Sequence, residues 1–117
     1  MCSNSMGTLK VKDQHDAIDY IYKTAPDYAA AKGKLAELET YKSSLKAILM
    51  KQSYETAIGA QEREAYAHAD YQNLCKAIGE ATEQAELLRW RLESAKMRFD
   101  AWRTEQASNR NLERMTK

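Results

Sequence analysis

Residues 71–106 read YQNLCKAIGEATEQAELLRWRLESAKMRFDAWRTEQ. Stepping by three and four picks out Tyr71, Leu74, Ile78, Ala81, Ala85, Leu88, Leu92, Ala95, Phe99, Trp102 and Gln106, and ten of these eleven are apolar. The alternation never slips. It averages about 3.5 residues, the period at which a helix keeps one seam against a neighbouring helix. The stretch therefore predicts a long helix packed lengthwise on another. Such a seam argues for assembly and binding and leaves little room for an enclosed active site.

A second seam lies upstream, at Tyr28, Ala31, Leu35, Leu38, Lys42, Leu45, Leu49 and Gln52. Tyr41 and Ile48 widen its apolar stripe. Lys42 interrupts it, and its charge is expected to reach solvent along a flexible stem. A lysine at such a position also serves in some coiled coils to fix register. Pro26 has no N–H to give inside a helix but fits a first turn. It is therefore expected to divide a short helix over 13–24 from a longer one over 26–52. Ala17, Ile18, Ile21 and Tyr22 form one face of the short helix, and Asp13 and Asp16 suit its start. Ile58-Gly59 suggests a turn, residues 60–68 a short helix, and Asp70 the cap of a helix over 70–110. Gly33 and Gly79 fall inside these helices, where they would permit close helix approach or a bend.

The expected fold is all-α. A long antiparallel helical hairpin, coiled-coil-like, carries a short N-terminal helix and associates into homo-oligomers. Residues 1–7 are small and polar and read as a disordered tail, leaving a single helical domain over 8–117.

Composition narrows the function classes. No apolar run approaches the ~20 residues of a membrane span, and no secretory signal is visible. The two cysteines, Cys2 and Cys75, have no partner at disulfide or metal spacing, which suits a reducing cytoplasm. Charge is polarised along the chain: residues 53–87 hold seven acids against two bases, and residues 88–117 hold eight bases against four acids. His15 and His68 lack neighbours at ligand spacing. No phosphate-cradling glycine loop and no nucleophile elbow occurs. The expectation is no enzyme, no catalytic or metal site, no cofactor and no small-molecule substrate.

Two surfaces carry binding chemistry. Around the turn between the long helices stand Lys42, Lys46, Lys51, Tyr54, Arg63 and Tyr66, with Tyr71 already in the seam. Cations for phosphates and rings for bases are the ingredients of a single-strand site. The other surface is a line of Leu87, Trp90, Met97 and Ala101, interrupted by Ser94, on the side of the last helix away from its seam. Arg89, Arg91, Lys96, Arg98 and Arg103 surround it. An exposed tryptophan with leucine and methionine beside it calls for a cover. Either another protomer or the first helix folding back would supply one. Arg89 and Arg98, with Leu87, Trp90 and Met97, are the candidate oligomer or partner interface.

Residues 42–51, Lys-Ser-Ser-Leu-Lys-Ala-Ile-Leu-Met-Lys, resemble the helix of the UvsY recombination mediators of tailed phages. Glu62 to Ala67, Leu88-Arg89-Trp90 and Ala101-Trp102-Arg103 are similar to segments of small helical proteins from phage recombination gene clusters. The resemblance spans roughly 26–110. It implies a homo-oligomer that binds single-stranded DNA and helps load a recombinase onto strands coated with single-strand-binding protein. Lys46, Lys51 and Arg63 fall nearest that family's DNA-contacting segment, although its Lys-Ala-Arg stretch is Gln61-Glu62-Arg63 here. The implied setting is the cytoplasm of a bacterial host, without a membrane. Two other readings stand beside it: a phage anti-defence inhibitor, anti-CRISPR-like, that occupies a host effector protein, and a structural coiled-coil adaptor.

Overall fold

A computed structural model describes residues 14–116; the tail expected over 1–7, with Cys2, lies outside the described residues. Three helices follow in order: α1 (Gln14–Gln52, 39 residues), α2 (Ile58–Ala67, 10 residues) and α3 (Ala69–Thr116, 48 residues). There is no strand among the described residues.

The seam of α3 stands as its spacing predicts. All eleven positions from Tyr71 to Gln106 are buried or half-buried. The seam of α1 is longer than expected. Ala17, Ile21, Thr24, Tyr28, Ala31, Leu35, Leu38, Lys42, Leu45, Leu49 and Gln52 continue the same alternation of four and three, and nine of these eleven are buried or half-buried. Lys42 and Gln52 are the exposed exceptions.

This phase runs straight through Pro26, so the expected division into helices over 13–24 and 26–52 does not occur. Pro26 sits two residues from Thr24, on the side of α1 turned to solvent, and is exposed. The carbonyl it leaves without a helical donor belongs to Tyr22, itself exposed, and water can serve it. Burial of seam residues on both sides outweighs one missing hydrogen bond.

Other boundaries also move. Ile58 and Gly59 form the first turn of α2, and α3 continues six residues beyond 110. Gly33 and Gly79 are not places of close approach: a Cβ on either would meet nothing within 4 Å.

The chain divides into two compact units. In one, residues 29–86, Leu45 and Leu49 of α1, Ala65 of α2 and Tyr71 and Leu74 of α3 form the core, with Leu38, Met50, Cys75 and Ile78 packed on it. The other combines the first part of α1, to Tyr28, with α3 from Leu87. There Ala17 and Thr24 of α1 and Leu88 and Ala95 of α3 are buried. The most deeply buried side chains are small, with Ala17, Ala65 and Ala85 each at 1% exposure. No large side chain is fully buried among the described residues.

Candidate functional site

The turn between α1 and α2 is built by one backbone bond and by side chains that replace helical bonds. The Ser53 N–H donates to the Met50 carbonyl at 3.2 Å, and the Glu55 N–H to Ser53 Oγ at 3.0 Å. Ala57, the residue before α2, gives no side-chain cap. Instead, Gln61 Nε2 reaches back to the Glu55 carbonyl at 2.9 Å. At the elbow between α2 and α3, His68 Nδ1 accepts the Asp70 N–H at 3.0 Å, and Gln72 Nε2 donates to the Tyr66 carbonyl at 2.7 Å. The cap expected of Asp70 is therefore supplied by His68, while Asp70 sits in the first turn, where a carboxylate faces the positive end of the helix.

These two turns hold α2 against α1. Glu62 and Tyr66 lie four residues apart on α2 and so share a face. Lys46 of α1 meets both: its Nζ donates to Glu62 Oε2 at 3.1 Å and stands 4.8 Å from the centre of the Tyr66 ring. Tyr66 in turn lies edge-on to Tyr71, with ring centres 5.2 Å apart. The Tyr66 side chain, and then the Glu62 carboxylate, hold the Lys46 ammonium above its ordinary pKa of 10.5. Partial desolvation opposes them but does not win.

Of the six residues expected at a single-strand site, the fold brings together Lys46 and Tyr66, while Lys42 lines the groove above them with Glu39, Ser43, Tyr71 and Ile78. Lys51, Tyr54 and Arg63 do not line that groove. All three are exposed, Tyr54 wholly so. The Arg63 guanidinium lies back along α2 toward Gly59. Lys46 and Tyr66 thus serve as a brace between helices. Glu62, which pairs with Lys46, and His68, which caps α3, were not among the site residues expected from sequence. The four-residue spacing of Glu62 and Tyr66 was the available signal for the first. For the second, an imidazole two residues before an aspartate gives almost none.

On the second surface Leu87, Trp90, Met97 and Ala101 are exposed, while Ser94 and Arg89 are half-buried. Leu87 is 45%, Trp90 55% and Met97 57% exposed. The first part of α1 contributes Ala17 and Thr24 to burial and leaves Trp90 uncovered, which removes the folded-back first helix as its cover. The Arg89 guanidinium lies 4.5 Å from the Trp90 ring centre. Arg98 has an interaction of its own within the chain. Further along, Phe99 stacks on Trp102 at 6.1 Å, Arg103 covers Phe99 at 5.9 Å, and Arg103 pairs with Asp100 at 3.8 Å.

Among the described residues, no group of three or more His, Cys, Asp or Glu side chains is placed to hold a metal ion, and no helix is long and apolar enough to cross a membrane. No protein-family model, curated protein or solved structure matches the chain.

Proposed function

We propose that this chain is a non-enzymatic assembly protein whose copies associate through the outer face of α3, with α1 and α3 folded as an antiparallel hairpin. One observation carries the reading. Leu87, Trp90 and Met97 form an exposed apolar stripe on a helix whose other seam is already filled. Apolar patches of this kind mark interaction surfaces. The small seam residues leave a thin core, and a thin core gains from association.

In the same proposal, the assembly is an accessory factor of phage DNA recombination in the host cytoplasm. It would hold single-stranded DNA, or a recombinase or single-strand-binding protein, while the recombinase loads. The DNA contact falls to Lys42, Lys51, Arg63 and Tyr54, because Lys46 of α1 and Tyr66 of α2 are engaged with each other. What supports it is the wholly exposed Tyr54 ring near exposed cations in sequence, and the resemblance of residues 42–51. Each copy contributes a modest contact, and assembly multiplies it through effective concentration.

Mass measurement in solution tests both parts, with and without a short single-stranded oligonucleotide at low and raised salt. A mass above the monomer, and oligonucleotide binding that weakens as salt rises, are expected. A monomer refutes the assembly. An assembly that ignores the oligonucleotide at low salt refutes the DNA contact and leaves a recombinase or single-strand-binding protein as what the assembly holds.

A further inference from the structure

The apolar stripe on α3 is bordered by two rows of opposite charge. At about 100° per residue, Leu87, Trp90, Ser94, Met97 and Ala101 fall within roughly 80° of arc. Glu86, Glu93 and Asp100 follow one edge, and Arg91 and Arg98 follow the other. Each row repeats every seven residues, in step with the stripe.

From these rows we infer that the stripe binds the same stripe of a second copy, with the two α3 helices parallel. This rests on the assembly proposed above and specifies its partner and direction. In a parallel pair, the left border of one helix meets the right border of the other. Acid then faces arginine along both sides. In an antiparallel pair, like borders meet, so carboxylates face carboxylates and guanidinium groups face each other. The spacing fits as well. In a parallel coiled coil, a residue on one border meets the residue five positions on in the other helix. Glu86 is five before Arg91, and Glu93 is five before Arg98. Two-fold symmetry doubles these to four contacts. The match ends where the stripe ends, since Asp100 is five before Glu105. Trp90 and Met97 occupy alternate layers of the interface with Leu87, Ser94 and Ala101. Glu86 and Arg98 already have interactions within the chain, so the cross-helix pairs share these groups. The association should therefore be modest in affinity and sensitive to salt.

Sedimentation and native mass measurement of four chains test this: wild type, Trp90→Ala, the pair Glu86→Lys and Glu93→Lys, and a row-swapped chain that adds Arg91→Glu and Arg98→Glu to that pair. Circular dichroism establishes that each is helical. Wild type is expected to dimerise, more weakly as salt rises, and Trp90→Ala to be monomeric. The two Lys substitutions should raise the dissociation constant about tenfold or more at low salt, and the row swap should restore it. Mixed with wild type, the row-swapped chain should form few mixed pairs, because parallel pairing would then set like charges together. A helical wild type that is monomeric overturns this inference together with the assembly proposal. A wild-type dimer that ignores the Lys substitutions, or that pairs readily with the row-swapped chain, overturns parallel pairing alone and leaves assembly standing.

Discussion

Lys46 makes two contacts from one side chain, an ion pair with Glu62 and a ring contact with Tyr66, and its pKa rises accordingly. A raised folded-state pKa gives stability that is whole below the unfolded value and lost as pH climbs through the folded one. Lys46→Met should therefore lower the melting temperature by a constant amount between neutral pH and about pH 10. The gap to wild type should narrow above that, and a thermal scan across pH checks it. His68 acts by geometry. Replacing it with Ala removes the acceptor for the Asp70 N–H and should cost about 1 kcal/mol in urea denaturation, while His68→Asn, which keeps an acceptor, should recover most of it. Sequence reading placed Lys46 and Tyr66 near each other, but did not show that they contact one another and Glu62 between the helices. Cations interleaved with rings look alike whether they await a nucleic acid or brace two helices. The difference is Glu62, whose role depends on how α2 folds back onto α1.

At the scale of elements, periodicity was legible and interruptions were not. The α3 seam is visible because burial on one helix face forces a 3.5-residue pattern that local propensity cannot mimic. Pro26 misled because its local penalty is certain, whereas the compensating burial of Thr24 and Tyr28 belongs to tertiary structure. Pro26→Ala should restore the bond to the Tyr22 carbonyl and stabilise α1 by on the order of 1–3 kcal/mol. Gly33 and Gly79 lie where a methyl group has room, so Gly33→Ala and Gly79→Ala should each add about 1 kcal/mol. Both show as a higher denaturant midpoint at an unchanged slope. A loss of stability at either position would mean that the helices approach more closely there.

At the scale of the whole molecule, alanines fill the tightest places and no large side chain is sealed from water among the described residues. A protein built so thinly should depend on its neighbours for stability. If copies bind one another when folded and not when unfolded, mass action raises the melting temperature with concentration, by about 2–5 °C per tenfold for a chain of this size. Calorimetry over two decades of concentration measures it, and Trp90→Ala should abolish the dependence. The Trp90 stripe was legible in sequence as an orphan face. Its uncovered state was not, because that depends on where the first part of α1 packs. The two tryptophans also differ in their surroundings. Trp102 is half-buried and stacked on Phe99, whereas Trp90 stands in solvent with the Arg89 guanidinium close to its ring. The exposed indole should emit at longer wavelength and the sheltered one at shorter. Covering Trp90 should shift the summed emission to the blue, so the chain carries an intrinsic optical gauge of its own occupancy and needs no added dye.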